Sequence, residues 1–146
     1  PNDETEGKIV PAVYKRYSKI ILEEVLKLEH TDQNDESGGV LVVNIISDGK
    51  DNKEFVIAIK GEIDVYSAPG FKESLTESIN DVDHDIILDC SELSYIDSMG
   101  LGILVGALKR VKEKGKNIII RNPKSTVRKL FKITGLDKAF IIEEVL

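Results

Sequence analysis

The sequence predicts an α/β domain: a mixed, mostly parallel sheet of four to five strands with helices packed on it, preceded by an extra N-terminal helix. Three observations predict it. Ile86-Ile87-Leu88 is a continuous apolar run, the pattern of a strand covered on both faces. Ile103, Leu104, Ala107, Leu108 and Val111 then recur at helical spacing. Beyond residue 55, strand and helix patterns alternate, which is the βαβ signature of a parallel core.

Residues 1–11 are polar with proline at both ends and read as disordered or as an arm. Over about 12–29 the pattern turns helical, with Val13, Tyr14, Tyr17, Ile20, Ile21, Val25 and Leu28 on one face. Thr31 to Gly39 is a polar linker. The chain therefore divides into an arm with helix and linker, 1–39, and a domain, 40–146. A lone amphipathic helix is not stable by itself. It must pack on its own domain, on a copy of itself to give a dimer, or on a partner.

Val40 to Ile46 and Phe55 to Ile59 read as strands, joined through Ser47-Asp48-Gly49-Lys50-Asp51-Asn52 into a hairpin. The loop Gly61 to Pro69 leads into a helix whose buried positions are Phe71, Leu75 and Ile79, with Ser67 as its expected cap. Asp85 to Asp89 is a third strand. The helix after Ser98 runs to about Lys114 and stops at Gly115. Asn117 to Ile120 is a fourth strand, Ser125 to Thr134 a short helix, and Phe140 to Val145 an edge strand.

With 146 residues the chain holds one well-cored domain. Its 41% apolar and 32% charged residues exclude wholesale disorder. The net charge of -6 argues against nucleic acid as a direct partner. Most of the late basic residues, from Lys109 to Lys132, read as the solvated faces of two helices, with an anionic partner as the weaker alternative. Cys90 is the one cysteine, so no internal disulfide forms, and a small buried hydrophobe is its expected role. No apolar run reaches the length of a membrane span and no secretory signal is visible, so the expected location is cytoplasmic.

Catalytic chemistry is missing. His30 and His84 lie in no metal or triad spacing, and each reads as a solvated side chain. No Gly-x-Ser-x-Gly elbow, Walker lysine loop or Gly-x-Gly-x-x-Gly fingerprint is present. No metal, cofactor or catalytic residue is expected. Gly102 and Gly106 read as small residues that let their helix approach its strand. Asp64 and Asp97 each follow an apolar residue at the end of a strand-to-helix connection. Such loops gather on one rim of an α/β sheet. Ser98, expected to expose its hydroxyl at a helix start, is either a plain cap or a place for a phosphate. With no histidine or lysine to activate Ser98, docking is a stronger reading of the rim than nucleophilic catalysis.

Several separated segments, in order, resemble the STAS domain family, and in particular the bacterial anti-sigma factor antagonists. They are Lys60-Gly61-Glu62-Ile63-Asp64, Leu88-Asp89-Cys90-Ser91, Tyr95-Ile96-Asp97-Ser98-Met99-Gly100-Leu101-Gly102-Ile103-Leu104, and Leu130-Phe131-Lys132-Ile133-Thr134-Gly135-Leu136-Asp137-Lys138-Ala139-Phe140. The resemblance implies a STAS-like fold over 40–146 and a non-enzymatic role in transcription regulation by partner switching. It implies binding to an anti-sigma factor serine kinase, phosphorylation of Ser98 by that kinase, and restoration by a metal-dependent serine phosphatase. It also implies a partner surface of Asp64, Tyr66, Ser67, Asp97, Ser98, Met99, Gly100 and Leu101. Met99 stands where many relatives have Ser, Thr or Ala, which keeps the acceptor and alters the surface beside it. A STAS scaffold module of a transporter or sensor complex is the alternative.

Overall fold

Five strands follow one another across a single sheet in chain order. The structure, a computed structural model, describes residues 40–146. Strand β1 (Leu41–Asp48) pairs antiparallel with β2 (Phe55–Ile63). From there β2, β3 (Ile86–Ile96), β4 (Ile118–Arg121) and β5 (Ile141–Glu143) run parallel. Helices α1 (Ala68–Ile79), α2 (Ser98–Glu113) and α3 (Ser125–Thr134) make the three crossovers. Each crossover steps one strand in the same direction, so right-handed connections place all three helices on one face of the sheet. The predicted mixed sheet, with one antiparallel member and an edge strand at the end, is the observed one. The helix and linker expected within 1–39 lie outside the described residues.

The core lies between sheet and helices. Alternate residues Phe55, Ile57, Ile59 and Ile63 of β2, Ile86, Leu88 and Cys90 of β3, and Ile118 and Ile120 of β4 face it. They meet Phe71, Leu75 and Ile79 of α1, Leu101, Leu104, Leu108 and Val111 of α2, and Val127 and Phe131 of α3. Phe131 stacks edge-on against Phe140 at 5.5 Å, closing the C-terminal end. Helix α2 ends in a Schellman motif: Lys116 N–H bonds Val111 O at 3.1 Å and Gly115 N–H bonds Lys112 O at 2.9 Å, with Gly115 at φ +73.

Several boundaries differ from expectation. β2 and β3 are longer than their apolar runs, ending at Ile63 and Ile96 where Ile59 and Asp89 were expected. Beyond the paired end of β4 at Arg121 they continue as a ribbon paired with each other, with β1 still beside β2 as far as Gly61 and with register shifts after Ala58 and Gly61. In β3 the exposed residues come there in pairs, Ser91-Glu92 and Ser94-Tyr95, between buried Cys90, Leu93 and Ile96, so the sequence lacks strand alternation and resembles a loop. Gly106 has open space where a Cβ would sit, so it is not the close-approach residue expected of it. That role falls to Gly100, described below. His84 is half-buried, its ring lying against Gly49 of the hairpin turn, and is less solvated than expected. Among the late basic residues, Arg121 bonds Glu143 at 2.5 Å and Glu54 at 3.0 Å, and Arg128 pairs with Glu144. The positive charge of these two is met within the domain.

Candidate functional site

The β2–β3 ribbon carries the rim on which the predicted residues meet. Glu62 stands opposite Tyr95, and Ile63 opposite Ile96. Ser94 Oγ donates to Gly61 O at 3.0 Å, and Asp97 N–H donates to Ile63 O at 3.1 Å, locking the ends of both strands together. The chain then passes from β2 into α1 through a loop over 64–67, and from β3 into α2 through Asp97 alone.

Asp97 is the N-cap of α2, in extended conformation, its Oδ1 accepting from Gly100 N–H at 3.0 Å. It is buried, 8% exposed, the one polar or charged side chain in that class among the described residues. Burial pushes its carboxyl above the ordinary carboxylate range, and the negative charge of Asp64 adds to the push, while N–H groups of Gly100 and Met99 pull the other way. Ser98 follows as the first helical residue. It is half-buried, but its Oγ is shielded from solvent and has no hydrogen-bond partner among the described residues. The exposed hydroxyl expected at this position is thus turned inward. It is not the cap, because Asp97 already fills that role.

Gly100 and Leu101, expected on the partner surface, belong to the core instead. A Cβ on Gly100 would stand 2.7 Å from Ile63 Cγ2 and from Ile96 Cγ1, so the helix start rests directly on both strand ends. Leu101 is 1% exposed. Helical geometry explains the correction: three residues past the cap, the chain has turned from the rim toward the sheet. Met99 remains half-buried at the rim.

Asp64 organises the other connection. Its Oδ1 accepts from Tyr66 N–H and Ser67 N–H, both at 2.9 Å. Ser67 Oγ donates to Glu62 O at 2.9 Å and accepts from Asp64 N–H at 2.9 Å. The expected cap role of Ser67 toward α1 is therefore not seen. Asp64 serves the free N–H groups, and the serine hydroxyl closes the loop on itself. Tyr66 is exposed at the loop tip and Asp64 and Ser67 are half-buried.

Sequence reasoning missed Glu62, Val65 and Tyr95 as rim residues. Val65 and Tyr95 are 42% and 48% exposed, large for apolar and aromatic side chains. Burial first, then the charges of Asp97, Asp64 and Glu62, push the Tyr95 phenol upward, so three carboxylates act on one ring. The signal was present: an aromatic residue two positions ahead of a capping aspartate, on a strand end with polar neighbours. The result is an acidic rim with an exposed aromatic and apolar surface. Among the described residues no three His, Cys, Asp or Glu side chains gather as metal ligands, and no helix is long and apolar enough to cross a membrane.

Known proteins resemble the chain throughout the domain. The STAS domain model matches residues 33–146. The anti-sigma-B factor antagonist of Staphylococcus aureus (strain NCTC 8325) is 36% identical over 93 residues, 64% of this chain and 86% of that protein. An anti-sigma factor antagonist from Mycobacterium paratuberculosis superposes with a TM-score of 0.58 at 28% identity, over 76% of this chain and 90% of that one. The unphosphorylated anti-sigma factor antagonist SpoIIAA shares the fold, with a TM-score of 0.59 at 24% identity, over 73% of this chain and 89% of that one.

Proposed function

Because the chain belongs to the STAS domain family, we propose that it is a cytoplasmic anti-sigma factor antagonist, a regulated binding protein and not an enzyme. Its partner in this reading is an anti-sigma factor serine kinase, which the unphosphorylated chain engages through the rim. The kinase moves the γ-phosphoryl group of ATP to Ser98 Oγ, releasing ADP and the hydroxyl proton, and the modified chain lets go. A metal-dependent serine phosphatase resets it by hydrolysis.

The observation that carries the reading is the placement of Ser98. It opens α2 directly after a buried capping carboxylate, at the rim shared with Asp64. A phosphate there adds about −1.5 to −2 charges. The N-terminal end of α2 tolerates that charge within the domain. A partner surface fitted to a neutral serine meets instead a dianion beside Asp97 and Asp64. Each tenfold loss of affinity needs only about 1.4 kcal/mol, so local repulsion suffices and the fold need not change.

The inward Oγ adds a requirement. Transfer needs the serine to turn about its Cα–Cβ bond to a staggered position that reaches solvent. A docked kinase would select that rotamer.

The test incubates the full chain with its anti-sigma factor kinase and ATP. The peptide holding Ser98 should gain about 80 Da, the mass of one phosphoryl group, and Ser98→Ala should stay unlabelled. Equal labelling of Ser98→Ala overturns the site. Co-fractionation with membranes and no kinase-dependent modification would favour the transporter or sensor module.

A further inference from the structure

The face of the sheet opposite the helices carries an apolar row without a described element to cover it. In register across four strands lie Val56, Ile87, Ile119 and Ile141. Val56 and Ile87 are 5% and 4% exposed, yet neither belongs to the core between sheet and helices. Arg121, next but one to Ile119 on β4, reaches across to Glu54 just ahead of β2. Ile119 remains half-buried, and Ile141 and Val42 on the same face are exposed.

The chain itself points to an occupant. β1 is antiparallel to β2, so its start lies at the rim end of the sheet, where Val40 O accepts from Glu62 N–H at 3.1 Å. Gly61, at φ +114, permits that approach: a Cβ there would stand 1.8 Å from Val40 O. Strand alternation turns Val40 and Val42 toward the uncovered face, opposite to Leu41 and Val43, which pack on the core. The described chain thus begins at the border of that face. The nine-residue linker spans up to about 30 Å, more than the roughly 19 Å across five strands. A helix over 12–28 would be about 25 Å long, enough to cross the row with Val13, Tyr17, Ile20, Ile21, Val25 and Leu28 turned inward.

We propose that the amphipathic segment 12–28 docks as a helix on the helix-free face of its own sheet, over Val56, Ile87, Ile119 and Ile141. The tether favours this occupant over a second copy. At about 10 µM chain, a linker giving roughly millimolar effective concentration favours the internal contact by about 100-fold. The rim, with Ser98 and Asp97, is left open, so this arrangement is independent of the phosphorylation reading.

Disulfide trapping in the full chain tests it. Cys90 is 1% exposed, with its thiol pushed up to about 12 by burial and by Asp89, so it does not interfere. Ile119→Cys is combined in turn with Tyr17→Cys, Ile21→Cys or Val25→Cys, and with Lys15→Cys or Lys19→Cys on the opposite helix face. Mild oxidation at about 10 µM should give an internal disulfide as the main product for the first three and traces for the last two, with dimers about 100-fold rarer. Dimers as the main product, equal yields from both faces, or no disulfide in chains whose circular dichroism is unchanged would overturn the proposal. Should Ile119→Cys fail to fold, Ile21→Asp alone gives the answer. Severalfold brighter ANS fluorescence of the folded variant supports docking, and unchanged fluorescence overturns it.

Discussion

Asp97 sets two demands against each other, and the conflict can be measured. As the cap of α2 it accepts the Gly100 N–H at 3.0 Å, a bond whose loss to alanine costs about 1 kcal/mol. As a buried carboxylate near Asp64 it is held above its ordinary pKa. A carboxyl raised in the folded state binds its proton more tightly there than in the unfolded chain. Its stabilising contribution is fully present below the unfolded value and is lost as pH rises through the folded one. Asn keeps the capping oxygen and carries no charge, and it caps as well as Asp. Asp97→Ala should therefore lower stability at pH 7 by about 1 kcal/mol, roughly 4–8 °C in melting temperature for a domain near this size. Asp97→Asn should match or exceed the parent at pH 7, and should lack the decline that the parent shows from the ordinary carboxylate range upward. Urea titrations of the three proteins from pH 4 to 8 read both effects. If Asp97→Asn is as unstable as Asp97→Ala, or the parent's residue-specific term rises with pH, the account of this carboxylate is wrong.

Three further outcomes follow from the packing. Gly61→Ala forces a side chain into left-handed backbone and against Val40 O, so it should cost at least about 2 kcal/mol in urea midpoint analysis, with β1 peeling first in hydrogen exchange. Leu101→Ala should cost about 2–5 kcal/mol, because the side chain is core and not partner surface; thermal melting reads it. Cys90 should stay unmodified by a thiol reagent at pH 8 in the folded protein and react on unfolding, since burial pushes its thiol up to about 12.

The sheet was legible because its centre obeys simple rules. Ile86-Ile87-Leu88 is apolar without alternation, and the run at 103–111 keeps helical spacing, so strand and helix separate on pattern alone. The ribbon was not, since Lys60, Glu62, Ser91, Glu92 and Ser94 are polar outside the covered part of the sheet and carry loop composition. The rim's carboxylates were found because each follows an apolar strand end. Which residue caps was harder. Asp64 and Ser67 are both good caps, and only the geometry assigns the N–H groups to Asp64. The burial of Gly100 and Leu101 depends on the angle at which α2 leaves β3, and the inward Ser98 hydroxyl is a choice of one rotamer. Neither quantity has a periodic signature.

The strand order 1-2-3-4-5 has a kinetic consequence. Each strand hydrogen-bonds to the one made just before it, and no gap is held open for a later arrival. A chain emerging from the ribosome can add β3, β4 and β5 in turn to a growing edge, with every crossover helix closing before the next begins. Neighbours in space are neighbours in sequence, which keeps contact order low for a parallel sheet and folding correspondingly quick. The edge of the described sheet on this side is the three residues of β5, too short to recruit a stray strand from another molecule.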